Sequence, residues 1–573
     1  MTKSKLFLSL LFAGAVGTAS AQSLKDAQAA MEAEQYDKAK VMLENLVQKK
    51  PKDGENYFYL GQIYLVNDRV DSAAIIFNNG LTNDPKNIQL NTVGLGIVDL
   101  KNNNQAAAEQ KFTTATSDLG KKDYLPLYFS GRALIDAPKP DFAKALEYLT
   151  QAKAKNAKDA LVPLALGDAY AGMNESSLAY VQYRDALTLD EGLLRAKIGQ
   201  AVITRRAQAY DVAIEQLNAL TQEFAAYAPT FRELAETYRA SSLKEDDEEK
   251  YKAINKQGVD AYKKYLDLTG DKSLEAKIRY ADFLVYAREY AELKKVSEEL
   301  AQNPDVDPKI YRYLGYGAYN QDKDYAKSLE YLNSLFAKMK PERIISRDYL
   351  FAGLANIGVA AADTTGASVA NRDKGIELLK KAIEMDKDEL LPEVAETAFA
   401  KYQDQDMAAA AMIFEIPASM PESEYYYDAN YYIGEINYNL GQKKVAAEED
   451  GKVYFDKADK GFGVVVAATK QEVVDKYLIP ALYYRGFAQL GLDNIAEPEK
   501  IQGLFVPSFT KLIEVIKAKP ADAKYNEYLV DANNYLGYYN YAKGDNAKAK
   551  EHFQATLSIN PEDEFAKSYI EAL

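Results

Sequence analysis

The chain has 573 residues, 47% apolar and 27% charged, with a formal net charge of −15, a single histidine, and neither cysteine nor tryptophan. That composition belongs to a folded chain. It excludes disulfides, thiolate metal sites, a cysteine nucleophile and any multi-histidine metal centre. The acidic balance repels phosphate backbones and anionic lipid, and no basic stripe offsets it, so nucleic acid is not an expected partner.

Taken in chain order, the first 21 residues read as a cleavable export signal. Lys3 and Lys5 form a positive start, Leu6 to Val16 an apolar run, and Ala19-Ser20-Ala21 a small-x-small cleavage site, so the mature chain is expected to begin at Gln22. The apolar run is too short to span a bilayer, which takes ~20 residues. No cysteine stands at the cleavage point, so a lipid anchor there is ruled out. The expected compartment is the periplasm, with secretion as the alternative.

Beyond the signal the pattern is periodic. Tyr57, Leu60, Gly61 and Tyr64 are followed by Ala73 and Phe77, then by Gly80 and Pro85. The first four sit at helical spacing on one face of a helix. Ala73 is a small contact point on a second helix, and Pro85 ends the unit. The small residue recurs as Ala39, Ala73, Ala108, Ala145, Ala179 and Ala213, at steps of 34, 35, 37, 34 and 34. The pattern returns around Leu166-Gly167, Leu234-Ala235, Leu314-Gly315 and Leu536-Gly537, and in degenerate form around Gly353, Gly434 and Gly486.

This spacing resembles the tetratricopeptide repeat, departing only in Tyr57, where Trp is common. With the export signal, the chain is similar to exported, periplasmic tetratricopeptide proteins of Bacteroidota. The resemblance implies an all-α fold of stacked helix pairs, a right-handed α-α superhelix or solenoid, with about eleven to thirteen units in two sub-arrays. The expected layout is a signal peptide over 1–21, an N-terminal array over 22–240, and a charged insertion or helix extension over 241–258. A more degenerate array over 259–563 and a capping helix over 564–573 complete it. Glu245 to Glu249 in the insertion lack the alternating ligands and glycine of a calcium loop and read as a solvated helix extension. Residues 361–373 read as a mobile loop, and 441–456 as an extension of a helix pair. Asp363-Thr364-Thr365 is similar to a short O-glycosylation motif of some Bacteroidota.

No catalytic, cofactor-binding or metal-ligating set emerges, and the chain is not expected to be an enzyme. Gly94-x-Gly96 and Gly315-x-Gly317 lie on helices, not in a strand-to-helix turn, and His552 flanks a core aromatic. The family's ligands lie along the concave face made by first helices. Counted from the Leu-Gly pair, groove positions in the C-terminal array are Arg312, Tyr316 and Tyr319, then Tyr431, Glu435 and Tyr438, then Asn534, Tyr538 and Tyr541. The N-terminal equivalents are blander: Phe58, Gln62 and Leu65, then Leu164, Asp168 and Ala171. Tyrosine offers a flat apolar face with a polar tip, which suits polypeptide or glycan. The family's two-carboxylate clamp is missing. The expected function is a periplasmic protein-protein interaction scaffold holding envelope proteins or an extended polypeptide. The alternative is a glycan- or peptide-binding module serving uptake at the outer membrane.

Overall fold

The computed structural model describes residues 23–363 and 369–573. The export signal and Thr364-Thr365 lie outside the described residues. Within them the chain is helical throughout, with 29 α-helices and no strand. The helices pair in sequence as fourteen hairpins, and Glu564–Ala572 follows as a single closing helix. None of the described helices is long and apolar enough to cross a membrane.

The 34-residue step is built from one contact repeated. Ala39, Ala73, Ala108, Ala145, Ala179 and Ala213 are all completely buried where a second helix meets its first. A large side chain four residues on, the ring of Phe77, Phe112 or Tyr183 or the chain of Leu43, Leu149 or Leu217, is buried beside each. A Cβ on Gly61 would come within 2.2 Å of the Phe77 ring, and one on Gly94, in the next unit, within 2.4 Å of it. Tyr183 is wedged in the same way between Gly167 and Gly199. Each large side chain therefore ties its own unit to the following one, so burial is continuous along the array. Ser328 takes the alanine position in a later unit, and its buried hydroxyl donates to the Gly315 carbonyl at 2.8 Å. Non-glycine residues adopt the left-handed conformation at many of the hairpin turns, among them Glu34, Asp68, Asn103, Asn174, Gln208 and Lys323.

The chain forms two compact units, one up to Val306 and one from Asp307. This division lies after the expected insertion at 241–258. Those residues end the helix Ala228–Ser242 and begin the 22-residue helix Glu248–Thr269. Asp247 caps that helix by accepting from the Lys250 amide at 3.0 Å. The extension leaves the core intact, because Tyr262 still packs on Phe283 with ring centroids 4.8 Å apart. The division falls in the stretch holding Pro304 and Pro308, residues that disfavour a continuous helix. Of the expected loop over 361–373, 361–362 end the helix Ser346–Ala362 and 369–373 begin the helix Val369–Met385, while 364–368 lie outside the described residues.

In the first unit the beginning of the chain meets its later helices. Glu34, in the first hairpin turn, accepts from Arg232 at 2.5 and 2.6 Å and from the Tyr265 hydroxyl at 2.9 Å. The unit thus closes on itself through a contact made outside the stacking order.

Candidate partner-binding surfaces

In the second unit the residues expected to face a groove are tied into local clusters of rings and hydrogen bonds. Arg312 grips the carboxylate of Asp348 at both oxygens, 2.7 Å each, and Tyr316 donates to the same carboxylate at 2.8 Å. Asp348 is fully buried and also accepts the Ile345 amide at 3.0 Å. The Tyr316 ring lies 4.1 Å from Phe351. Burial, reinforced by the Asp348 charge, pushes the Tyr316 phenol far above its ordinary value. Tyr319 is buried in a π-turn over Ala318–Asp322, and that burial raises its phenol to about 12.

Tyr431 stacks on Tyr477 at 4.5 Å, Glu435 accepts from the Tyr402 hydroxyl at 2.8 Å, and Tyr438 lies 5.5 Å from Tyr484. Tyr538 donates to the Ile495 carbonyl at 2.9 Å. Asn534 is nearly buried and donates to Asp563 at 3.2 Å. Tyr541 is 37% exposed, with its ring 5.0 Å from Tyr569. Arg312 and Tyr316 share the helix Lys309–Gly317, with Tyr319 in the π-turn that follows it, and the other two sets lie on Tyr426–Ala446 and Asn526–Ala542. Within that face, Arg312, Tyr319 and Asn534 serve packing between units more than they serve an open surface.

Further aromatic residues join the rings of the last two sets into a row across successive first helices. Tyr484 meets Tyr483 at 5.3 Å, Tyr483 stacks on Tyr528 at 4.1 Å, and Tyr483 contacts Phe487, which reaches Tyr535 at 5.6 Å. Tyr535 leads on through Phe565 to Tyr569. Most of these rings are only half-buried, so each packs on a neighbour while part of it stays accessible. Tyr402, Tyr483, Tyr484, Tyr528 and Asp348 were not among the sequence-derived positions. The Leu-Gly anchor is missing from the units that carry Tyr402 and Asp348, and Tyr483 and Tyr484 precede an anchor reduced to Gly486.

The N-terminal positions differ from their bland expectation. Phe58 and Leu164 are core residues, 0% and 1% exposed, so the position three before the glycine does not face a groove there. Asp168 is a hub that binds Arg132, Arg195 at 3.1 Å and the Tyr183 hydroxyl at 2.9 Å. Gln62 and Leu65 line a cavity of about 500 Å³ in the first unit.

Residues 30–93 match the family model described as tetratricopeptide repeat. No curated protein matches the sequence. Among solved structures, the chain is similar to the C-terminal part of a TPR repeat-containing protein from Cytophaga hutchinsonii, at 22% identity over 51% of this chain and 98% of that one, with a TM-score of 0.26. It is also similar to a tetratricopeptide repeat protein from Parabacteroides merdae, at 16% identity over 47% and 94%, with a TM-score of 0.30. The human IFIT1 dimer with PPP-AAAA matches at 14% identity over 71% and 92%, with a TM-score of 0.37. In fold this is an array of tetratricopeptide-type helix pairs, and residues 30–93 carry the family's own sequence pattern.

Proposed function

We propose that the protein is exported and acts in the periplasm as a protein-protein interaction scaffold, holding envelope proteins or an extended polypeptide against the first helices of its second unit. The observation that carries this reading is the half-exposed tyrosine row from Tyr402 to Tyr541. Rings already fixed by neighbours lose little freedom when a partner lands on them, and their hydroxyls can bond to a polypeptide backbone. The repeat fold supports protein or peptide partners, and Lys3, Lys5 and the apolar run after them support export.

The test places a photo-crosslinking residue at Tyr438, at Tyr541 and, as a control, at Val453, which is 67% exposed on a second helix. In the native host the same polypeptide should be captured at Tyr438 and Tyr541 and not at Val453. Tyr438→Ala with Tyr541→Ala should then weaken its binding at least tenfold, as loss of two interface anchors does at about 1 kcal/mol or more each. Capture of glycan alone would move the reading to the uptake module. Equal capture at Val453 would end it. The mature protein should begin at Gln22, and an intact Met1 would refute export.

A further inference from the structure

The cavity of the first unit has no part in that reading. It measures about 500 Å³, the size of sites that hold one small molecule. Its lining comes mainly from six successive first helices, Leu24–Glu32, Gly54–Val66, Gln89–Lys101, Leu125–Ile135, Leu161–Gly172 and Leu194–Arg206. Glu34, in the turn after the first of them, is tied to Arg232 and Tyr265, which lie beyond the last. The helices of this unit thus come round on themselves, and the space between them is a chamber bounded on its sides. Its wall is largely apolar. Phe129 is held edge-on by Phe58, Tyr59 and Tyr128, with ring centroids 4.7, 5.9 and 4.9 Å away, and Met31 and Ile97 add aliphatic surface.

The charged groups on this wall are answered from within the protein. Arg132 is bound by Asp136 at 2.9 Å and by Asp168, Arg195 by Asp168 at 3.1 Å, and Lys101 by Asp68 at 3.6 Å. Glu32 is exposed and lies in the field of Arg195. An ionic ligand would therefore have to part a pair that already exists. The neutral groups differ. Tyr128 is only 5% exposed, and its hydroxyl makes no hydrogen bond among the described residues. Nor is that hydroxyl sealed among core atoms, so the surface it keeps belongs to the chamber. A buried hydroxyl is costly to leave unmet, and here a partner can come only from the chamber. The half-buried Tyr36 hydroxyl and Gln62 carboxamide, on the same wall, also make no hydrogen bond among the described residues. Burial raises the Tyr128 phenol and takes that of Tyr36 up to about 12, so both are neutral donors at ordinary pH. We propose that this chamber binds a small uncharged molecule whose apolar ring lies against Phe129 and whose one neutral polar group, a carboxamide, carbonyl or hydroxyl, hydrogen-bonds to Tyr128. The fixed aromatic wall suits a flat ring, and Tyr36 and Gln62 offer further neutral hydrogen bonds.

The experiment measures binding to the full mature chain by equilibrium dialysis, with four molecules that share one ring system: 2-naphthamide, 2-naphthoate, 2-naphthylmethylammonium and 2-methylnaphthalene. The neutral amide should bind at least tenfold more tightly than either ion. Tyr128→Phe should weaken 2-naphthamide about tenfold, the ordinary worth of one hydrogen bond to a buried group, and leave 2-methylnaphthalene unchanged. Val66→Trp, from a wall position 48% exposed, should block all four with helicity unchanged. An ion that binds as tightly as the amide, equal losses of amide and hydrocarbon in Tyr128→Phe, binding that survives Val66→Trp, or no binding of 2-naphthamide at millimolar concentration by the folded chain would each overturn the proposal. Acetyl-Gly-Phe-Gly-amide carries a ring and neutral amides on a peptide chain and should bind at least tenfold more weakly than 2-naphthamide. Tighter binding of that peptide would overturn the small-molecule assignment. Tyr438→Ala and Tyr541→Ala should leave these affinities untouched, which separates this site from the tyrosine row.

Discussion

Glu34 and Arg232 stand 198 positions apart and share two hydrogen bonds, at 2.5 and 2.6 Å. Arg232 also reaches Glu233 at 3.3 Å, and its guanidinium lies 5.7 Å from the Tyr265 ring. Neighbour-to-neighbour stacking does not require the contact of Glu34 with Arg232. Glu34→Gln leaves Arg232 without its main carboxylate, and an unsatisfied charged group costs about 1–3 kcal/mol. The expected outcome is faster amide hydrogen exchange in Leu24–Glu32 with little change elsewhere. Unchanged protection of that helix would show that the contact does not hold it.

Asp348 poses the same question in a drier place. Its carboxylate is fully buried and is shared by Arg312, Tyr316 and the Ile345 amide. Asp348→Asn breaks a buried ion pair from one side, which costs about 3–5 kcal/mol. The urea midpoint of the second unit should fall accordingly. A shift of only a few tenths would mean that water replaces the lost contacts.

Two glycines give opposite outcomes for the same substitution. Gly61→Ala drives a methyl into the buried Phe77 ring and should cost about 1–3 kcal/mol. Gly317→Ala meets nothing within 4 Å on helical backbone and should be neutral or stabilising by up to about 1 kcal/mol. Thermal melts of the two variants check the pair.

Asp493 supplies a pH dependence. Its carboxylate accepts the amides of Asn494, Gln502, Gly503 and Leu504 at 2.8, 2.7, 2.6 and 2.9 Å. Burial alone would raise its carboxyl, but these bonds outweigh burial and hold it below the ordinary value. The folded state therefore binds this proton less readily than the unfolded state does. The stabilisation is fully present above the unfolded value near 4 and is lost as pH falls through the lower folded value. Asp493→Asn should lower stability at neutral pH and flatten the fall below about pH 4. Parallel curves for variant and parent would contradict this.

The repeat was legible because it rests on residues that cannot be exchanged freely. A Cβ at Gly61 or a larger side chain at Ala73 would collide with the core, so the alternation of small and large residues survives in the sequence. Where Ser328 or Leu332 replaces alanine or the ring, the geometry persists but the letters change. Two helices defy local rules. Pro392 and Pro480 lie inside Lys387–Gln403 and Gln471–Leu492, where sequence alone suggests a break. Ile479, Ala481 and Leu482 are all buried, and that packing outweighs the lost backbone hydrogen bond. Asp348 and the contact of Glu34 with Arg232 had no local signature. Each pairs residues far apart in sequence, and an acidic chain offers many carboxylates of which only geometry selects one.

The tyrosine row has an optical consequence. The chain holds 44 tyrosines and no tryptophan, so its own emission arises from phenols alone. Rings spaced 4 to 6 Å apart pass excitation readily from one to the next. A partner that brings a tryptophan onto this row would collect that energy and emit at longer wavelength, while the tyrosine signal dims. The protein therefore reports its own occupancy without a dye, and a tryptophan peptide walked along the row would show which rings it touches.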